Sequence, residues 1–316
     1  MIFIIGAPRS GTKLLREILN NHSEIYIPEA ETLFLYKLYL SWEQFGELSI
    51  ENNFNKLFDY ILNTPFYSYL QDEGDEWIVD KNSWFQRCTE WNYSHVMTKF
   101  FESCASKKEK CLFGDKTPSY LYPVDFIRSQ FSGAKIIHIV RDPRDYGLSV
   151  KKAWNKNLYR SVYRWNDWIS QTINQLGSKD DFIQVKYEDL IESPKDVMKE
   201  VMLFLNVNYE ESLFTFTKRV EPVGDAKNQN TIMKGNFGKW ESVLSNKKIK
   251  RIEELCFESM KIVGYSPKLA SKNDKLSALG LKYYKALDAI NLLKTSFKKD
   301  GFKGFKRQIK LISLSQ

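Results

Sequence analysis

The sequence predicts an α/β fold of three layers, a central parallel sheet flanked by helices, with a basic helical extension at the carboxyl end. Three observations predict it. Short apolar runs rich in β-branched residues alternate with segments whose apolar residues recur at helical spacing. The first two of these runs lead into loops built from glycine or arginine. Positive charge, finally, is concentrated beyond residue 267. Strands alternating with helices imply right-handed crossovers, which gather ligand-binding loops beyond the carboxyl ends of the strands.

In chain order, Ile2 to Ile5 reads as a strand, followed by a glycine-containing loop and by Leu14, Leu15, Ile18 and Leu19 at helical spacing. Glu29 to Leu40 reads as a helical segment. The aromatic-rich interval from Trp42 to Trp91 has helical patches, and residues 41–110 read as a helical insertion. Lys135 to Val140 is a buried-strand candidate, followed by a charged loop and a segment carrying Leu148, Val150 and Trp154. Asp181 to Val185 is a third strand, leading into Tyr187-Glu188-Asp189-Leu190 and a helix from Pro194 to Leu205. Turn signals at Gly264 and Pro267 close a domain of residues 1–267. In the remainder, 268–316, Leu276 to Leu293 reads as a basic amphipathic helix.

At 316 residues, 43% hydrophobic and 15% aromatic, the chain is large enough to bury a substantial core. It contains no stretch of about 18 consecutive apolar residues and no basic, cleavable leader, so a cytoplasmic protein is expected. Cys88, Cys104, Cys111 and Cys256 lack CxxC spacing and are expected to be reduced, with buried packing as their role. His22, His95 and His138 have no partner at metal-ligand spacing, and no metal is expected. The formal charge is +8, but residues 268–316 hold eleven Lys, one Arg and three Asp, a net +9 that leaves the body at −1. An anionic polymer or a membrane surface, contacted peripherally, is the partner class such a tail suggests, and a solvated face is the plainer reading. No nucleic-acid partner is expected.

The chemistry sits in the loops. Gly6-Ala-Pro-Arg-Ser-Gly-Thr-Lys13 lies between a strand and a helix, where free backbone N–H groups and the helix dipole favour an anion. Gly6 and Gly11 allow close backbone approach, Ser10 and Thr12 add hydroxyl donors, and Arg9 adds a guanidinium fork. This is a P-loop-like arrangement. Against the nucleoside-triphosphate loop GxxxxGK[ST], however, Thr12-Lys13 stands where Lys-Ser/Thr would bind Mg²⁺ and the β/γ-phosphates, which disfavours ATP. A second basic loop follows the strand ending at Val140: Arg141-Asp142-Pro143-Arg144-Asp145, with Ser149 eight residues beyond Arg141. A strand-end arginine and a serine one or two turns into the next helix converge on one phosphate from two sides. Taken alone, the same five residues are also readable as a salt-bridged turn opening a helix at Pro143.

Pro8-Arg9-Ser10-Gly11-Thr12 resembles the PRSGT loop of the sulfotransferases that use 3′-phosphoadenosine 5′-phosphosulfate (PAPS), in their carbohydrate and tyrosyl-protein branches. Arg141 to Asp145 with Ser149 resembles their 3′-phosphate motif. Gly114-Asp115-Lys116-Thr117-Pro118, Lys186-Tyr187-Glu188-Asp189-Leu190 and Gly238-Lys239-Trp240 resemble three further family elements, so that the likeness spans roughly residues 2 to 266. It implies an enzyme that transfers sulfonate from PAPS, releasing 3′-phosphoadenosine 5′-phosphate (PAP), to a hydroxyl of a carbohydrate or polysaccharide acceptor, without a metal. Arg9, Ser10, Gly11, Thr12, Lys13, Arg141, Ser149, Tyr187 and Lys239 would bind the nucleotide, and the insertion at 41–110 would line the acceptor side. Lys13 departs from the hydroxyl residue common in the family.

Catalysis needs a base for the acceptor proton and cations for the departing oxygen. Arg9 and Lys116 are the cation candidates. The family's glutamate just beyond the first helix falls in Pro28-Glu29-Ala30-Glu31-Thr32, where both Glu31 and Glu29 qualify; alignment on the following Thr and Phe favours Glu31. Either could instead be a charge at a helix N-terminus. His138, inside an apolar strand, reads as core, and His22 reads as structural at a helix end. Two other functional classes stay open on residues alone: a P-loop kinase of a small molecule using ATP, and a non-catalytic module that binds anionic polymer or membrane through its tail.

Overall fold

In the computed structural model, which describes residues 1–72, 79–107, 109–176, 180–216 and 231–314, five strands form one parallel sheet. They are β1 (Ile2–Ile5), β2 (Ile25–Tyr26), β3 (Leu112–Lys116), β4 (Lys135–Val140) and β5 (Phe182–Lys186), in the order β2-β3-β1-β4-β5. The apolar run of β1 takes the centre, and all four of its residues are buried, as a strand covered on both faces requires. Successive side chains alternate between two cores. Phe3 and Ile5 join Ile136 and Val140 on one face, while Ile2 and Ile4 join Ile137 and Ile139 on the other.

The helices are α1 (Thr12–Asn20), α2 (Leu35–Leu40), α3 (Glu51–Leu62), α4 (Pro65–Asp72), α5 (Lys81–Arg87), α6 (Tyr93–Lys107) and α7 (Val124–Gln130). After β4 come α8 (Pro143–Trp154), α9 (Leu158–Leu176), α10 (Tyr187–Glu192), α11 (Pro194–Leu205), α12 (Trp240–Val243), α13 (Asn246–Ile262) and α14 (Ala278–Leu314). Leu14, Leu15, Ile18 and Leu19 of α1 cover one face of the sheet together with Met198, Val201 and Met202 of α11. Helices α6, α7, α8, α9 and α13 cover the other. The three-layer α/β architecture is therefore the one expected, and α1 and α11 run as their apolar spacing indicated.

Two expectations shift. The segment from Glu29 is not helical before Leu35, because tertiary bonds take its backbone and side-chain donors: Thr32 N–H donates to Thr117 Oγ1 (3.0 Å), and Thr32 Oγ1 lies 2.9 Å from the Tyr120 hydroxyl. The third apolar strand occupies Phe182–Lys186, one residue later than expected. Strands β2 and β3 carry no clear sequence signal. The first is two residues long, and the second contains Gly114-Asp115-Lys116, types that strands usually avoid.

In residues 41–110, the described aromatic residues pack mainly on one another. Trp84 is fully buried, its indole N–H donates to Val96 O (2.9 Å), and its ring lies 4.6 Å from Phe54 and 5.1 Å from Phe100. The cysteines form no disulfide. Cys88, Cys104 and Cys256 are buried, but Cys111 is exposed, with its Sγ 3.2 Å from Glu24 Oε2.

Residues just past 267 are bound into the body. Glu253, fully buried on α13, accepts Arg144 Nη1 (2.7 Å) and the backbone N–H groups of Lys268, Leu269 and Ala270 (2.9, 2.7 and 3.0 Å). A buried carboxylate is tolerable only with such a complement of donors, and removing it strands the guanidinium opposite. Replacing Glu253 with alanine is expected to lower the unfolding free energy by about 3–5 kcal/mol, seen as a lower urea midpoint at unchanged slope.

Candidate functional site

The central position of β1 puts its following loop against β4. A Cβ on Gly6 would stand 2.5 Å from the backbone oxygen of Ile139, so only glycine lets the chain leave the sheet here. The loop turns back where Ser10 N–H donates to Ala7 O (3.0 Å), with Arg9 at φ 78°. Gly11, at φ 98°, caps α1, and a Cβ there would sit 2.5 Å from Tyr187 Cδ2. The first N–H groups of α1 are left without intrahelical acceptors and face the same loop. Ser10 Oγ is wholly buried and has no hydrogen-bond partner among the described residues, a hydroxyl held ready for a ligand oxygen.

Arg141 follows the last residue of β4, and its side chain joins the two loops. Nη1 donates to Arg9 O (3.3 Å), Nη2 donates to Asn236 O (3.1 Å), and the guanidinium carbon lies 4.3 Å from the centre of the Tyr187 ring. The rest of the Arg-Asp-Pro-Arg-Asp sequence builds the loop. Asp142 caps α8 by accepting Arg144 N–H (2.8 Å) and pairs with the Arg144 guanidinium (2.6 Å), which stacks 3.8 Å from the Trp240 ring centre. The Asp145 carboxylate accepts the backbone N–H groups of Gly238 and Trp240, fixing the segment that carries Lys239; burial pushes its pKa up while Arg141 opposes. The salt-bridged-turn reading of these residues thus holds for Asp142 and Arg144, while the Arg141 side chain lines the cavity between the loops. Glu188 is structural as well: it accepts Asp142 N–H (3.0 Å) and the Tyr265 hydroxyl (2.6 Å).

Between the loops lies a cavity of about 640 Å³. Of the sequence candidates, Arg9, Gly11, Arg141, Ser149, Tyr187 and Lys239 line it. Ser10 and Thr12 sit buried in the loop behind it, and Lys13 turns aside to pair with Glu29 (2.7 Å). Sequence reasoning missed Asn236, Lys151, Lys152 and Asn155, which also line it. Asn236 donates to the Tyr187 hydroxyl (2.8 Å) and accepts Lys239 Nζ (2.7 Å). Its only sequence signal was its place two residues before Gly238-Lys239-Trp240. Lys151 and Lys152 could have been found by continuing α8 beyond Ser149.

The catalytic candidates form a second group at the carboxyl end of β3. Register pairs Ile4 with Lys116, so this lysine lies at the strand end beside the first loop, and its Nζ is 2.7 Å from Glu31 Oε1. Glu29 is engaged by Lys13 and by Arg16 (3.4 Å). The two carboxylates, two residues apart, therefore face different cations. Thr32, Thr117, Tyr120 and the buried Asp115 lock Glu31 in place, with Thr117 Oγ1 donating to Asp115 Oδ1 (3.0 Å). His138 is core: burial lowers its pKa to about 3, so the imidazole is neutral. His22 accepts Glu24 N–H through Nδ1 (3.0 Å), with Nε2 2.8 Å from Asn208 O, a structural arrangement. His95 accepts Thr89 N–H (3.1 Å), away from the cavity.

Comparison with known proteins gives a consistent family. A profile described as "Sulfotransferase family" matches residues 2–211. An uncharacterized protein of Aquifex aeolicus is 24% identical over 90% of this chain and 35% of its own length. Protein-tyrosine sulfotransferase 1 of Danio rerio is 23% identical over 71% of this chain and 58% of its own length. The chain thus spans between about a third and three fifths of these two relatives. Among solved structures, the sulfotransferase domain from the curacin biosynthetic pathway superposes with TM-score 0.55 at 21% identity, covering 85% of this chain and 98% of that one. The sulfotransferase domain of the Synechococcus olefin synthase superposes with TM-score 0.53 at 25% identity, covering 80% and 93%.

Burial raises the Asp115 carboxyl from 3.8 to about 6, against the hydrogen bonds of Thr32 and Thr117 and the charge of Lys116, all of which lower it. The folded chain therefore holds this proton more tightly than the unfolded one. Its contribution to stability is largest at low pH and declines as pH rises from 3.8 to about 6. The difference in unfolding free energy between the native chain and Asp115→Asn is expected to fall by roughly 2–3 kcal/mol across that window, as measured by urea titrations at stepped pH.

Proposed function

The chain belongs to the sulfotransferase family, and on that premise we propose that it moves a sulfonate group from PAPS to a hydroxyl of an acceptor. One observation carries the reading: Arg9 and Arg141, from loops beyond adjacent strands, meet at a single cavity that also receives Ser149 and Lys239. Two arginines, one from each loop, suit a nucleotide with phosphate groups at both 3′ and 5′ positions. The residues fit that ligand. Among the described residues, Ser10 Oγ and Arg141 Nε are buried without a hydrogen-bond partner, and the loop backbone approaches as only glycine allows. Bound there, PAPS would supply a sulfonate carried on a phosphate leaving group.

The chain's own groups would then divide the work. Arg9, Ser10, Gly11 and Thr12 hold the 5′ end, Arg141 and Ser149 the 3′-phosphate, and Tyr187 lies between the two loops. Glu31 takes the proton of the acceptor hydroxyl as that oxygen bonds to sulfur. Arg9 and Lys116 offset the charge gained by the phosphate oxygen when its bond to sulfur breaks. Glu31 is preferred over Glu29 because it stands 2.7 Å from Lys116, which pairs the base and the leaving-group cation at one strand end, whereas Glu29 is shared by Lys13 and Arg16. A carbohydrate hydroxyl is the proposed acceptor. The relatives named for protein tyrosine and for a 3-beta-hydroxysteroid (the latter from Cavia porcellus, 24% identical over 53% of this chain and 69% of its own length) are consistent with a hydroxyl acceptor in general.

Two measurements test the reading. Calorimetry should detect PAP binding that weakens by at least about tenfold in Arg141→Ala, since a charge-assisted pair contributes more than 1.4 kcal/mol; no binding, or binding unchanged by the substitution, removes the nucleotide assignment. With sugar, phenol and steroid alcohols as acceptors, Glu31→Gln should retain PAP affinity and lose about 10²- to 10⁴-fold in kcat. If Glu29→Gln suffers that loss instead, the base is reassigned.

A further inference from the structure

Helix α14 shows two faces of opposite character. The inner one is fastened to the body: Asp288 accepts Asn157 N–H and pairs with Arg160 (both 2.5 Å), Asn291 donates to Asn155 O (3.1 Å), and the Tyr284 ring lies 5.9 Å from Tyr159. Asn155 itself lines the cavity, so the helix is anchored beside the nucleotide site. On the outer side, steps of three and four residues align Leu279, Tyr283, Ala286, Ile290, Lys294 and Phe297 along about 27 Å of helix. Leu279 is 79% exposed, Tyr283 61%, Phe297 51% and Ile290 46%. A row of exposed apolar side chains on a helix whose inner face is already packed signals a contact surface.

The charges identify the occupant. Lys282 and Lys294 lie on either side of the Leu279–Ile290 line, with Lys285 and Lys298 farther round, and Asp288, the acid of this stretch, is consumed on the inner face by Arg160. An anionic polymer would use the lysines and leave the apolar row without a role. A second copy of the helix would set lysine against lysine. A lipid surface with anionic headgroups takes both, the apolar row entering the acyl boundary and the lysines meeting phosphate. No helix among the described residues is long and apolar enough to cross a membrane, which is consistent with a helix lying in the interface. We infer that the outer face of α14, centred on Leu279, Tyr283 and Ile290 and flanked by Lys282 and Lys294, docks the protein on anionic phospholipid, with the cavity held at the membrane surface through Asn155.

Sedimentation with vesicles tests this independently of the catalytic reading. The full chain should pellet with vesicles of phosphatidylcholine containing phosphatidylglycerol and stay in solution with phosphatidylcholine alone. Leu279→Asp with Ile290→Asp, and separately Lys282→Glu with Lys294→Glu, should each weaken sedimentation by at least about tenfold while PAP affinity and circular dichroism stay as in the native chain. Absent sedimentation, equal sedimentation with both vesicles, or sedimentation insensitive to both double variants overturns the proposal. So does a native chain that is dimeric by analytical ultracentrifugation and made monomeric by Leu279→Asp, since the face would then belong to a second copy.

Discussion

The architecture of the site converges on the Arg141 guanidinium. It donates to the carbonyl of the first loop, donates to the carbonyl of Asn236, and stacks on the ring that packs under Gly11. Three parts of the chain far apart in sequence, near residues 9, 187 and 236, are thereby referred to one planar cation. Because the donors of the planar guanidinium have fixed directions, the arrangement is preset before any ligand arrives. The neighbouring acids have other partners: Asp142 pairs with Arg144, and Asp145 accepts the backbone N–H groups of Gly238 and Trp240.

A second constraint is the register of the sheet. With β1 between β3 and β4, the loop after β1 has Lys116 on one side and Arg141 on the other. The segment carrying Glu31 cannot continue as helix because Thr32 is bound to Thr117 and Tyr120, both beyond β3. That network converts two similar glutamates into groups with separate partners. It also accounts for a fully buried Asp115, an expensive residue whose charge is retained near neutral pH by the hydroxyls of Thr32 and Thr117 and by Lys116.

The insertion and the tail follow the same logic of burial. Among the described residues of 41–110, much of the aromatic richness is absorbed by edge-to-face packing around Trp84. The tail is not an appendage hung on a finished domain. Its first residues satisfy Glu253, and α14 is pinned to the turn between α8 and α9. Among the described residues, the outer face of α14 is exposed at Leu279, Tyr283 and Ile290.

Local pattern carried much of this molecule. The apolar runs of β1 and β4, the helix from Pro194 to Leu205, the glycine loop and the strand-end Arg141 were readable because their determinants are near in sequence: periodicity, β-branching, and backbone positions where only glycine fits. Local pattern could not show β3, whose Gly-Asp-Lys composition is acceptable in a strand only where Asp115 finds buried hydroxyls and Lys116 finds Glu31. Nor could it separate Glu29 from Glu31, since the difference lies in Lys13, Arg16 and Lys116, brought to them from α1 and β3. Asn236 and Asn155 were hidden for the same reason: an amide acquires a role only from what surrounds it. Motif chemistry is written in neighbours along the chain, whereas the partner that selects one carboxylate over another is a neighbour in space, and the parallel sheet supplies it.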